Sequence, residues 1–306
     1  MTDLAFPPAP EPLVRVAKLG YVAMRTPDLP RLTEYYEQAI SLALVESGAE
    51  TSYLTTGSDH HAVALEAGEQ NGFARLGLQI HGSLDEAAER LAAAGVEHER
   101  VSDFEPGVAA AIVVHEPLTA KPIHLFERQA ESGIATDSGL RPTKLGHVAS
   151  YVPNLLEIQR FYMEVLGFRW SDMIGDFFTF LRCGPDHHAV NLMESHKKSG
   201  VFHTAFETRD IVHLKHALDH LGSLGYRLEW GPGRHGVGHN IFSYHRNPDG
   251  ELTELFCEID LIFDETTGYF EPRPWHEEFP QGPKVWAKDP TASNIWGPIN
   301  FETIDH

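Results

Sequence analysis

The feature that most constrains this chain is that it repeats itself. Leu19-Gly-Tyr-Val-Ala-Met-Arg-Thr-Pro-Asp-Leu reads against Leu145-Gly-His-Val-Ala-Ser-Tyr-Val-Pro-Asn-Leu, and Gly57-Ser-Asp-His-His-Ala-Val-Ala-Leu65 against Gly184-Pro-Asp-His-His-Ala-Val-Asn-Leu192. Gly72-Phe-Ala-Arg-Leu lies against Val201-Phe-His-Thr-Ala, which pairs Ala74 with His203. Pro122-Ile-His-Leu-Phe lies against Thr253-Glu-Leu-Phe-Cys one position on, which pairs His124 with Glu254. The offset grows only from 126 residues (Tyr21 to His147) to 130 (His124 to Glu254). So small a drift over a whole half means short loop insertions in a duplicated domain.

Within the second half, Leu145–Tyr151 reads as a strand. Asn154 caps a helix over Leu155–Val165 that stops at Gly167, and strands follow at Phe177–Leu181 and Ala189–Met193. The pattern restarts with Thr204–Glu207, a helix over Ile211–Leu224 ending at Gly225, and strands at Arg227–Glu229, Ile241–Tyr244 and Thr253–Cys257. Each half is therefore expected to hold two βαβββ units, an α+β architecture. The expected divisions are residues 1–133, 134–262 and a Pro- and aromatic-rich arm over 263–306. The Ser-, Gly- and Thr-containing stretch Glu131–Thr143 forms the link. Tyr269, Phe270, Trp275, Phe279, Trp286 and Trp296 are expected to pack that arm on the body.

Composition removes several classes. The formal charge of −20 repels nucleic acid and anionic membranes. No apolar run approaches the roughly 20 residues that span a bilayer, and the start MTDLAFPPAPEPLV has neither the basic nor the apolar part of a signal peptide. Only Cys183 and Cys257 occur, so no disulfide framework is expected and a reducing cytoplasm fits.

What the duplication did not keep matches is more telling. The second half carries His147, His203 and Glu254 where the first carries Tyr21, Ala74 and His124. A histidine near a strand start is ordinarily a hydrogen-bonded core residue. Three such differences, all confined to one copy, point instead to a ligand set. Two imidazoles and a carboxylate form the facial triad of non-haem Fe(II) oxygenases, which leaves one face of an octahedral ion open.

At these residues the sequence resembles the type I extradiol dioxygenases of the vicinal oxygen chelate superfamily, over nearly all of the chain up to about Asp260. The strongest part is Gly233-Arg-His-Gly-Val-Gly-His239, then Tyr244, then Asn247-Pro-Asp-Gly-Glu-Leu-Thr-Glu-Leu-Phe256. His235, Tyr244 and Glu254 keep the family's spacing, and His188-Ala-Val-Asn-Leu192 matches the segment of its acid–base histidine. The resemblance implies the vicinal oxygen chelate fold, Fe(II) or Mn(II) on His147, His203 and Glu254, and O₂ as co-substrate. It implies that His188 hands on a proton, while His235 and Tyr244 stabilise the deprotonated diol. A homo-oligomer is also implied. His239 is a candidate for the pocket wall. His187, beside His188 on a strand, is expected to point the other way.

The implied reaction is extradiol cleavage of a catechol-type aromatic by O₂ to a hydroxymuconic-semialdehyde-type product. Relatives acting on homoprotocatechuate carry an Arg where this chain has Trp230, and an Asn where it has Ala149. Both departures favour an alkyl- or aryl-substituted catechol, such as one like 2,3-dihydroxybiphenyl. Arg246 leaves room for a polar substituent. Competing readings are a hydroquinone-cleaving dioxygenase, a glyoxalase-like metal-dependent isomerase or lyase, and a module that only binds a metabolite.

Overall fold

In a computed structural model that describes residues 11–135, 139–264 and 281–297, the chain forms two sheets built in succession. The first takes β1 (Arg15–Thr26), α1 (Leu29–Gln38), β2 (Ala43–Ser47), β3 (Thr51–Thr55), β4 (Val63–Ala67), β5 (Gly72–His81), α2 (Leu84–Ala93), β6 (Glu99–Glu105), β7 (Val108–His115) and β8 (Pro122–Phe126). The second takes β9 (Lys144–Val152), α3 (Leu155–Arg160), β10 (Arg169–Ile174), β11 (Phe178–Arg182), β12 (Val190–Glu194), β13 (Gly200–Glu207), α4 (Ile211–Ser223), β14 (Leu228–Arg234), β15 (Ile241–Arg246) and β16 (Leu252–Cys257). The strand orders are β2-β3-β4-β1-β5-β8-β7-β6 and β10-β11-β12-β9-β13-β16-β15-β14, the same topology twice. A short strand, β17 (Lys284–Trp286), extends the second sheet by pairing parallel with β10, and α5 (Pro290–Ser293) follows it.

Local chemistry sets the helix starts. Asp28, Ser83, Asn154 and Asp210 each accept a backbone N–H from the first turn, and Ser83 with Glu86 closes a reciprocal capping box. The helix expected over 155–165 is α-helical only to Arg160. Its last turn, Phe161–Val165, widens to a π turn. It ends where Gly167 (φ +75°) lets the chain pass close to Val14, whose carbonyl oxygen would stand 2.7 Å from a Cβ.

One apolar core runs through both halves. Helix α1 of the first half lays Tyr36 against Phe206 of β13, and its Tyr35 hydroxyl lies 2.7 Å from Nε2 of the buried His245 on β15. The first half thus backs the strands that carry the second half's polar residues. Cys183 and Cys257 are buried free thiols. Among the described residues no helix is long and apolar enough to cross a membrane. Of the arm's aromatics, Trp286 lies in β17 and Trp296 is exposed, while Tyr269, Phe270, Trp275 and Phe279 fall outside the described residues.

Candidate metal centre and cavity

Strands β9, β13 and β16 are adjacent. Register puts Ala205 of β13 opposite both His147 on one side and Glu254 on the other. Side chains in one row share a face, and a residue two positions along a strand returns to it. His203 therefore joins His147 and Glu254, with the small Ala205 between them. His147 Nε2 lies 3.0 Å from His203 Nε2 and 3.0 Å from Glu254 Oε2, and His203 Nε2 lies 3.2 Å from the same oxygen.

This spacing fits an ion. Cis donors about 2.1 Å from an octahedral ion stand roughly 3.0 Å apart, against roughly 3.4 Å around a tetrahedral one. The charge states fit too. Burial pushes the Glu254 carboxyl up, but His147 and His203 outweigh it and hold the group well below the usual carboxylate range. Burial pulls His203 down despite Glu254, which keeps it neutral and able to ligate. Among the described residues this is the one group of three His, Cys, Asp or Glu side chains with donors at ligating spacing.

The triad lies on the wall of a cavity of about 500 Å³. His188, His235, Tyr244 and Trp230 line it as well, so the structure gathers these candidates around the triad. The ring of His188 stands 4.4 Å from that of His147, centroid to centroid. Burial, with His147 and His187 nearby, holds it well below an ordinary histidine, hence neutral. His235 donates from Nδ1 to the Ser293 carbonyl oxygen at 2.6 Å, which leaves Nε2 toward Tyr244 at 3.2 Å. Burial pulls its pKa down to about 4. The Tyr244 hydroxyl donates to Glu254 Oε2 at 2.8 Å; burial and that carboxylate push the phenol well above its usual range. Trp230 stacks on Tyr244 with centroids 5.3 Å apart.

Two other candidates do not line the cavity. His239 sits 2.6 Å from Asp260 Oδ2, and Arg246 donates to the Gly250 carbonyl with Glu229 nearby. One residue that the sequence did not single out does belong: Asn240 donates to Glu254 Oε1 at 3.0 Å and so fixes the second carboxylate oxygen. It follows the positive-φ His239 at the end of the glycine-rich turn, where no spacing rule marks it.

The first half holds a different network at the equivalent place. Tyr21 pairs with Gly77 as His147 pairs with Ala205, and Ala23 pairs with Arg75 as Ala149 pairs with His203. The counterpart of His203 is therefore Arg75. The sequence alignment gave Ala74, one residue off, because each central strand pair contains β-bulges that slip the register. The Arg75 guanidinium donates to both oxygens of the buried Glu105, at 2.5 and 3.2 Å, and also to Glu66. Tyr21 donates to Glu105 at 2.5 Å, and His124 Nδ1 lies 3.4 Å from the Tyr21 hydroxyl. A guanidinium and a carboxylate neutralise each other where the second half gathers metal donors.

Residues 144–255 match the family model of the glyoxalase/bleomycin resistance protein/dioxygenase superfamily. The chain is 27% identical over 275 residues to metapyrocatechase 2 of Cupriavidus necator, covering 83% of this chain and 85% of that protein. It is 25% identical over 298 residues to the manganese-dependent 2,3-dihydroxybiphenyl 1,2-dioxygenase of Geobacillus genomosp. 3, covering 89% and 93%. The Mn(II)-bound glyoxalase of Novosphingobium aromaticivorans superposes with a TM-score of 0.84 at 26% identity, over 96% of this chain and 95% of that one.

Proposed function

We infer, for a chain with the vicinal oxygen chelate fold and this superfamily's signature over residues 144–255, that it is an extradiol dioxygenase cleaving an aromatic diol with O₂. The observation that carries the reading is the buried His147–His203–Glu254 triangle on the wall of an apolar cavity. Its relatives named metapyrocatechase and dihydroxybiphenyl dioxygenase support the same chemistry.

His147, His203 and Glu254 would hold the ion, Fe(II) or Mn(II). When bound, it would supply a redox-active Lewis-acid centre able to activate a vicinal diol and O₂. The chain's own residues do the rest. Neutral His188 takes up one diol proton beside the ligands. His235, whose Nδ1–H is given to Ser293, presents a bare Nε2 beside the Tyr244 oxygen, a polar edge that accepts from the second diol hydroxyl. Asn240 and Tyr244 each donate to one oxygen of Glu254 and keep the carboxylate in place.

The substrate is proposed to be a catechol with an alkyl or aryl substituent. The cavity falls within the roughly 300–1,000 Å³ that takes drug-sized ligands, more than one ring fills. Phe177, Phe178, Phe180, Phe202, Met193 and Trp230 make its walls apolar. The superposition on a glyoxalase favours a second reading, a metal-dependent isomerase or lyase. The test is oxygen consumption by protein reconstituted anaerobically with Fe(II) or Mn(II), given a panel of catechols and hydroquinones. A dioxygenase consumes one O₂ per diol opened, and the yellow semialdehyde-type product separates catechol from hydroquinone cleavage. No uptake with any member of the panel would end the dioxygenase reading.

A further inference from the structure

His187 and His188 are consecutive, so the alternation of an extended strand would send their rings to opposite sides. Instead their rings meet edge to edge, Nδ1 to Nδ1 at 2.9 Å. Behind them, Nε2 of the fully buried His187 lies 3.2 Å from Oδ2 of Asp172, also fully buried. Asp172 accepts two more donors, the Trp286 indole N–H at 2.8 Å on Oδ2 and the Lys284 backbone N–H at 2.9 Å on Oδ1. The turn at Gly238 (φ +71°) closes over the pair, where a Cβ would stand 3.1–3.3 Å from both rings.

The donors and acceptors dictate where protons sit. A carboxylate with three donors around it is an acceptor only, so His187 Nε2 carries a hydrogen. With its one ring hydrogen given to Asp172, His187 offers a lone pair at Nδ1. The short contact requires a hydrogen between the two Nδ1 atoms, and it belongs to His188. His188 Nε2 is left bare, on the ring that lines the cavity.

The duplicated half shows that the doublet comes with the fold, whereas the fixed acid does not. His60 and His61 make the same contact, Nδ1 to Nδ1 at 3.1 Å. Glu46 is the counterpart of Asp172, each following the same register slip, Leu44 to Glu46 and Trp170 to Asp172. But Glu46 is 56% exposed and stands 3.8 Å from His60. Its strand β2 is a sheet edge, while β10 is covered by β17.

We propose that Asp172 and His187 are positioning residues that hold His188 as the Nδ1–H tautomer, presenting a bare Nε2 that accepts a proton from the bound diol, and that β17 buries this relay. The proposal rests on the dioxygenase reading only for its final step. Nitrogen-15 histidine spectra of the metal-free protein, with His188→Gln used to assign the resonance, should show His188 as one tautomer protonated on Nδ1. In His187→Phe that tautomer should mix with the other, bound metal should stay at the level of the unaltered protein, and kcat should fall by about 10- to 100-fold with KM little changed. Asp172→Ala should act in the same direction. His188 protonated on Nε2 in the unaltered protein would overturn the relay, and that spectrum needs no variant to fold. An unchanged tautomer in a folded His187→Phe protein would overturn it equally. Because the spectra involve neither metal nor substrate, absence of O₂ uptake with every diol would sink the functional reading and leave the tautomer assignment standing.

Discussion

In both halves the same three central strands bring three polar side chains to one face, yet the two sets behave oppositely. β9, β13 and β16 supply His147, His203 and Glu254, two imidazoles and a carboxylate whose donor atoms converge. β1, β5 and β8 supply Tyr21, Arg75 and His124, and the guanidinium of Arg75 brings its own permanent charge to Glu105. The fold therefore fixes where a site lies, and one residue at the His203 position decides whether the required cation is an ion or part of the chain. Buried charges have to be paired in either case. The first half pairs them through a cation of its own chain, the Arg75–Glu105 ion pair, and then serves as a buttress, through Tyr35 on His245 and Tyr36 on Phe206.

The comparison can be broken most directly by removing its decisive residues. His203→Ala should abolish bound Fe or Mn, read by elemental analysis, together with all oxygen uptake, while Arg75→Ala should leave the metal content intact. Equal metal loss from both would place the ion wrongly. Next in size, Glu105→Ala strands the Arg75 charge in a buried site and should destabilise the fold by about 3–5 kcal/mol in urea unfolding, without changing metal content. A smaller loss would mean that Glu66 alone satisfies the guanidinium. Trp230→Ala should raise KM for aryl-substituted catechols by about 10-fold and affect catechol itself less. Uniform effects on both would show that Trp230 supports Tyr244 and does not contact the substituent.

The smallest effect tests both halves together. Burial holds His124 and His245 at about 4 in the folded chain, against about 6.5 unfolded. The unfolded state then binds more protons as pH falls through 6.5, so stability declines on acidification and the decline continues toward pH 4. From about pH 7.5 to 6.5 the two groups together cost somewhat under 1 kcal/mol. Urea midpoints that rise on acidification would contradict the burial of both.

Much of this is legible in the sequence alone. The duplication gave two βαβββ pairs, and the contrast between its copies singled out His147, His203 and Glu254. Helix ends could be read from Asn154 and from Gly167, because capping and left-handed backbone are local properties. Register is less accessible: a β-bulge adds no composition signal, so the sequence pairs Ala74 with His203 where the sheet register pairs Arg75. His239 and Arg246 lie close in sequence to cavity residues, yet the turn directs the one to Asp260 and the strand end ties the other to Gly250.

The sequence by itself determined the repeat, the candidate ligand set His147, His203 and Glu254 and the type of chemistry such a set suits. Each of those depends on residue types at fixed spacing along one chain. Only the tertiary structure decided what surrounds the set. Asn240 on Glu254, Ser293 on His235 and Asp172 behind His187 are contacts between distant segments, and Trp286 reaches Asp172 from 114 residues away. Hydrogen bonds of that kind follow from strand order and register, which come from burying apolar faces over the whole chain and are written in no single stretch of it.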